Sequence, residues 1–210
     1  LEVDEVARAF ATAKTLTGVE AREGAVRRAL AGADVVHFAV HGVRPAPHAP
    51  AYLELQRDGR HDGRLYADEL ATLPVQARLV TLSVCDSARG RANRGDEIVG
   101  VVDRAFLLGG ARTVVASRWP VHDAASVLFM RVFYAQLFRT DALTAFHRAQ
   151  QALRRGELRP DALGEQVVAA LGTSRAAMFR GVRPARFGQD ASDFTHPYFW
   201  AAFTLRGDPR

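Results

Sequence analysis

The chain of 210 residues is long enough for one domain with a full hydrophobic core. Hydrophobic residues make up 48% and charged residues 24%, which excludes a disordered chain, and we find neither a signal peptide nor an apolar run that could cross a membrane. The formal net charge is +5, but Lys14 is the only lysine among 28 basic residues, and the arginines are scattered without interleaved aromatic residues. This pattern does not favour direct binding of nucleic acid.

Apolar runs rich in β-branched and aromatic residues predict strands, and amphipathic segments between them predict helices. In chain order we expect helices at 2–14 and 23–31, a strand at 35–40, half of a hairpin at 52–55, a strand at 79–84, a helix at 96–108, a strand at 113–117, two helices capped by Asp123 and Asp141 that end near residues 138 and 154, and a strand at 198–205. This alternation predicts an α/β fold with a mostly parallel central sheet and helices on both faces.

The segment 155–193 is rich in glycine and proline, and we expect a surface excursion with one helix at 163–171. The chain begins with Leu1 and enters a predicted helix at once. We therefore expect residues 1–210 to form a single domain that is the C-terminal fragment of a longer polypeptide.

Cys85 is the only cysteine of the chain. An internal disulfide is therefore excluded, and so is a zinc site rich in thiolates. We expect a reducing, cytoplasmic location and neither a metal nor a cofactor.

Two residues capable of covalent chemistry follow predicted strands, His41 after 35–40 and Cys85 after 79–84. If these strands are adjacent and parallel, both side chains emerge at the same edge of the sheet, where sites of α/β proteins form. Cys85 would then be a nucleophile with His41 as its base, and the backbone N–H groups of Gly42 and Cys85 would receive the oxyanion. The alternative is structural, with a small buried cysteine and a hydrogen-bonded histidine.

Several motifs in one order resemble the CHAT domain family, a group of caspase-like bacterial domains often joined to tetratricopeptide repeats. The resemblance starts at Leu16 and is carried by HFAVHG at 37–42, LVTLSVCDSARG at 79–90, GDEIVGVVDRAFLLGGARTVVASRWPVHD at 95–123 and HPYFWAAFTLRGD at 196–208. It implies a three-layer caspase-like fold and a cysteine endopeptidase that cleaves a partner protein with His41 and Cys85. It also implies an upstream regulatory domain, such as tetratricopeptide repeats.

The same resemblance implies where a substrate binds. Ser83, two residues before the cysteine, corresponds to a wall of the primary specificity pocket, and the segment after the next strand borders that pocket. The implied substrate-binding residues are Ser83, Asp86, Ser117, Arg118, Trp119 and Asp123. Arg118 would favour an acidic substrate group, whereas Asp86 and Asp123 would favour a basic one, so the sequence leaves the specificity open.

Three other functions stay open at this point. The chain can be a scaffold or interaction module that keeps the fold without catalysis, or a sensor that is silent until an upstream domain moves. Hydrolysis through Ser87 is a weaker alternative, because Ser87 lacks a second base and acid in the required order.

Overall fold

The computed structural model describes residues 2–43, 50–86, 98–119, 122–157 and 194–210. Two compact units emerge from the contacts within the chain. The sheet unit comprises Thr12–Pro120 and Phe203–Arg210, and the helical unit comprises Leu1–Ala11 and Val121–Ala202. The predicted surface excursion and its helix fall almost entirely outside the described residues, and the single domain stays a prediction.

The sheet unit is built on six described strands. They are β1 (Val35–Val43), β2 (Tyr52–Glu54), β3 (Arg64–Tyr66), β4 (Leu79–Asp86), β5 (Thr113–Ser117) and β6 (Phe203–Gly207), arranged in the order β3-β2-β1-β4-β5-β6. The pairs β1–β4 and β4–β5 are parallel, whereas β3–β2, β2–β1 and β5–β6 are antiparallel.

The α/β class is therefore confirmed, but the mostly parallel sheet was a wrong prediction, because the described sheet is mixed. Its centre, made of β1, β4 and β5, is parallel. The hairpin of β2 and β3 adds two antiparallel strands next to β1, because antiparallel neighbours need only a short connection. At the other side of the sheet, β6 adds one antiparallel strand next to β5.

Three helices of the sheet unit bury their apolar faces together with the strands. They are α2 (Glu23–Leu30), α3 (Ala67–Thr72) and α4 (Ile98–Leu108), and a 3₁₀ turn at Gly18–Glu20 precedes them. Leu30 of α2, Leu70 of α3 and Phe106 of α4 belong to one buried cluster with strand residues such as Leu82. The rings of Phe38 and Phe106 lie 5.5 Å apart, which joins β1 to α4 within this core.

The helical unit contains α1 (Glu2–Ala7), α5 (Asp123–Leu137), α6 (Ala142–Arg154) and α7 (Pro197–Trp200). Phe129 of α5 packs edge-on against Phe146 of α6, with ring centroids 5.6 Å apart. The predicted cap of α6 is confirmed, because the Asp141 carboxylate accepts hydrogen bonds from the N–H and the hydroxyl of Thr144. No described helix is long and apolar enough to cross a membrane.

Three boundaries differ from the predictions. The helix predicted at 2–14 ends at Ala7, where i→i+3 hydrogen bonds from Ala9 and Phe10 tighten the last turn. The N-cap of α5 is His122, so Asp123 is the first helical residue and not the cap. The apolar run at 198–205 is half helix and half strand.

Proline explains the last difference. Pro197 occupies the first turn of α7, a position that suits its fixed φ, and the side chain of His196 accepts a hydrogen bond from the N–H of Tyr198. Trp200 donates its indole N–H to the carbonyl of Thr195 at 2.9 Å. The strand β6 therefore begins only at Phe203.

A buried ion pair joins α4 to β6 in the sheet unit. Nη1 of Arg206 lies 3.0 Å from Oδ2 of Asp103, whose side chain is fully buried, while the arginine side chain is 38% exposed. Burial raises the pKa of Asp103, and the neighbouring charge of Arg206 partly opposes that rise. In the unfolded chain the pKa of an aspartate is about 3.9. Because the pKa of Asp103 is higher in the folded protein, its ionisation lowers the stability of the fold as the pH rises above that value.

Arg206→Gln should therefore lower the free energy of unfolding more at neutral than at acidic pH. We expect a loss of about 2 kcal/mol near pH 7.5, since an unpaired carboxylate stays buried, and a smaller loss near pH 5, where Asp103 takes up a proton more readily. Urea denaturation at the two pH values measures both losses. The double variant Asp103→Asn/Arg206→Gln should show no such pH difference, and an equal loss at both pH values in the single variant would contradict this account.

Candidate active site

The parallel ladder of β1 and β4 pairs His41 with Cys85. Eight residue pairs run without interruption from Val35–Leu79 to Gly42–Asp86, and His41–Cys85 is the seventh. Since neighbouring strands lie about 4.8 Å apart, the backbones of these two residues are immediate neighbours. Both lie close to the carboxyl ends of their strands, where loops leave the sheet and sites of α/β proteins form.

Both strands are longer than predicted, so the two residues lie within the ladder and not after it. β1 continues to Val43 and β4 to Asp86. His41 is solvent exposed, whereas Phe38 on the opposite face of β1 is buried in the core. For Cys85 and Asp86 only the backbone is described.

Gly42, the predicted oxyanion donor, is buried in β1 between two strands. Its Cα pairs with Leu53 of β2 on one side and with Asp86 of β4 on the other. Gly42 makes an interaction in this structure, so its backbone polar groups are not all open to a substrate. The oxyanion role of Gly42 stays a prediction.

Ser83 and Ser117 are both buried in the sheet. The hydroxyl of Ser117 donates a hydrogen bond of 3.0 Å to the carbonyl of Val84, the residue before Cys85. Ser117 therefore ties β5 to the end of β4, a positioning contact that was not predictable from the sequence. The only sequence signal was a serine at the end of the run TVVAS at 113–117.

Arg118 and Trp119 follow β5 directly. Arg118 is exposed, and its guanidinium carbon lies 5.6 Å from the centroid of the Trp119 ring, which is cation–π distance. Of the four predicted substrate-binding residues whose side chains are described, these two reach the surface of the sheet unit and the two serines do not. Asp123 belongs to the helical unit, where it is the first residue of α5. The substrate-binding roles of all six residues stay predictions.

No group of three or more histidine, cysteine, aspartate or glutamate side chains within the described ranges is arranged to hold a metal ion. The chemistry suggested by the backbone register is that of a thiol and an imidazole. If the thiol gives its proton to the imidazole, the thiolate is a strong nucleophile, and the resulting imidazolium can later protonate a leaving group.

The fold and the register together define an α/β domain with a candidate cysteine–histidine site at the carboxyl edge of its parallel strands. The profile of the CHAT domain family matches residues 1–208, and the chain belongs to this family, which is related to the caspase-like peptidases. The family membership predicted from the motifs is therefore confirmed.

Two mammalian proteins are similar to the chain over 143 residues, or 68% of its length. Tetratricopeptide repeat protein 28 of Mus musculus is 31% identical over this range, and tetratricopeptide repeat protein 28 of Homo sapiens is 27% identical. The chain spans about 4% of the length of these relatives. The predicted association of this kind of domain with tetratricopeptide repeats is thus supported.

Proposed function

We propose that the chain is a cysteine endopeptidase domain that cleaves a partner protein through Cys85 and His41. The observation that carries the proposal is the pairing of these two residues as immediate neighbours in the parallel ladder of β1 and β4. The fold brings them together although 44 positions separate them in sequence. Residues 1–208 also match the CHAT domain family, which is related to the caspase-like peptidases. A three-layer caspase-like arrangement is part of this proposal.

In the proposed reaction the Cys85 thiolate attacks the carbonyl carbon of the scissile peptide bond. The C–N bond then breaks as the His41 imidazolium gives its proton to the departing amine, and a thioester to Cys85 remains. His41 next takes a proton from water, whose oxygen attacks the thioester and releases the carboxylic acid and the thiolate. The exposure of His41 suits this role, because substrate and water can reach its ring.

Specificity in this proposal depends on the segment after β5. Arg118 is exposed and stacked on Trp119, so its charge is available to an acidic substrate group. Asp86 and Asp123 would oppose this preference.

The regulator we propose is a tetratricopeptide-repeat region upstream in the same polypeptide, by analogy with the names of the two mammalian relatives.

A scaffold module without catalysis is the second candidate, and the pairing of Gly42 on both sides favours it. A glycine that lies between two strands, with Leu53 and Asp86 as its partners, is less open to a substrate oxyanion than one in a loop. This candidate predicts that the partner protein binds equally well before and after removal of the Cys85 thiol.

The experiment that separates the two candidates is a comparison of protein N-termini in cells that express the chain or its Cys85→Ala variant. We expect a small set of new termini that share side-chain preferences next to the cut and that disappear in Cys85→Ala. Ser87→Ala is the matched control and should keep these termini, because the serine is not part of the proposed pair. Termini that persist in Cys85→Ala would contradict the proposed function.

A further inference from the structure

A pocket of about 380 Å³ opens in the sheet unit, between α2 and the loop that follows β2. None of the residues of the candidate active site lines it. Its lining residues are Arg22, Ala25, Arg28, Asp58, Gly59, Arg60 and His61. We propose that this pocket binds a small phosphate-rich anion, such as a molecule with a chain of two or three phosphates.

Three guanidinium groups surround the pocket. Arg22 is the exposed N-cap of α2, and its Nε donates a hydrogen bond of 3.1 Å to the carbonyl of Val19, which orients the guanidinium group. Arg28 and Arg60 are exposed, and within the described part of the chain neither forms an ion pair with a carboxylate. Within the described ranges, therefore, no carboxylate neutralises these two cations.

The one carboxylate in the wall, Asp58, is engaged by the protein itself. Its Oδ2 accepts a hydrogen bond of 2.9 Å from the N–H of Gly24, and its Oδ1 accepts from the N–H groups of Arg60 and His61. Nδ1 of His61 also lies 2.9 Å from Oδ1. These hydrogen bonds hold the pKa of Asp58 far below its usual range, and the bond from the N–H of Arg60 contributes most to that lowering. Asp58 therefore fixes the loop on α2, and both of its oxygens are occupied by these donors.

The loop that carries Arg60 is fixed at a second point. The buried carboxylate of Glu23 accepts a hydrogen bond of 3.0 Å from the N–H of Gly63 and another of 2.8 Å from Nε of Arg27. The N–H of Glu23 in turn donates to the carbonyl of Gln56 at 2.9 Å. Since both ends of the loop are bonded to the first turn of α2, the pocket is preorganised and a ligand need not order it.

The shape and the spacing of the charges favour phosphates over an acidic peptide. Arg22, the N-cap of α2, and Arg28 within α2 are six positions apart, which places their Cα atoms about 9 Å apart along the helix axis. The small volume matches a short chain of phosphates, whereas an extended peptide needs a longer groove. The planar guanidinium groups also fit phosphate oxygens in pairs, which gives charge-assisted hydrogen bonds.

Isothermal titration calorimetry of the complete chain with sodium tripolyphosphate tests the proposal. We expect saturable binding to one site, weakened about tenfold by Arg28→Gln or Arg60→Gln and about a hundredfold by both together, since each removes charged hydrogen bonds. Arg139→Gln is the matched control, because this exposed arginine lies outside the pocket and should leave the affinity unchanged. All titrations are run at one ionic strength.

Three results would overturn the assignment. The first is binding that does not saturate, and the second is a loss of affinity in Arg139→Gln as large as in the pocket variants. The third is tighter binding of a peptide of glutamates than of tripolyphosphate. Urea denaturation of the double variant checks that it is folded, since both replaced side chains are exposed and should leave stability unchanged.

Discussion

His41→Gln is expected to lower kcat/KM for a cleaved peptide by about a thousandfold. Glutamine keeps the size and polarity of the side chain, but it can neither accept the thiol proton nor protonate the leaving amine, and general acid–base catalysis is worth about 10²–10⁴ in rate. Because His41 is exposed, the substitution should leave the free energy of unfolding almost unchanged. The measurement is steady-state kinetics with a peptide taken from a cleavage site found in cells.

His37→Gln is the control on the same strand. His37 pairs with Thr81 and lies four residues before His41, about 13 Å along β1, so it is too far away to exchange a proton with Cys85. We expect kcat/KM within a few-fold of the unsubstituted chain. Equal losses in His37→Gln and His41→Gln would show that the effect is structural, and the dyad assignment would then fail.

Gly207→Ala is expected to destabilise the sheet unit by at least about 3 kcal/mol. Gly207 ends β6 with a φ of +100°, and a Cβ added there would lie 2.2 Å from the carbonyl oxygen of Arg112. Neither the backbone conformation nor the contact tolerates a side chain, and the obstacle is backbone, which cannot move aside cheaply. The shift of the urea midpoint measures the loss.

Gly32→Ala is the matched glycine control. A Cβ at Gly32 would meet nothing within 4 Å, and its φ is not in the left-handed region. We expect a change within about 0.5 kcal/mol, or a small gain from the stiffer unfolded chain. Similar losses in the two variants would contradict the steric account of Gly207.

The centres of the strands were predictable because packing in a sheet core leaves an apolar run in the sequence itself. The runs around Phe38 and Leu82 are almost continuously apolar, as expected of strands in a covered sheet. The short strand Arg64–Tyr66 and the helix Ala67–Thr72 were missed. They are set by their partners, since Tyr66 pairs with Tyr52 and Leu70 packs into the common core, and such partners are not visible locally.

Strand direction was harder to predict than strand position. An apolar run has no intrinsic direction in a sheet, so 113–117 and 198–205 were both assigned to a mostly parallel arrangement. The observed β6 runs antiparallel to β5, with Thr113 opposite Gly207. The proline at 197 carried the local signal for a helix there, but the aromatic residues after it masked that signal.

In the candidate site, too, some residues were predictable from the sequence and the contacts that depend on strand pairing were not. His41 and Cys85 were identified because each ends an apolar run, and the predicted adjacency of their strands is the one that the ladder shows. The burial of Gly42 between β2 and β4 was not predictable, because it depends on where β2 pairs. The hydrogen bond from Ser117 to Val84 likewise requires the register of β4 and β5.

The central claim is that Cys85 and His41 share a proton, and the pH dependence of thiol alkylation tests it most directly. Because Cys85 is the only cysteine, iodoacetamide reports on this one thiol without further substitutions. We predict that alkylation of the unsubstituted chain titrates well below about pH 8.5, the value of a free thiol, and that His41→Gln returns it close to that value. Identical titrations in the two proteins would contradict the claim.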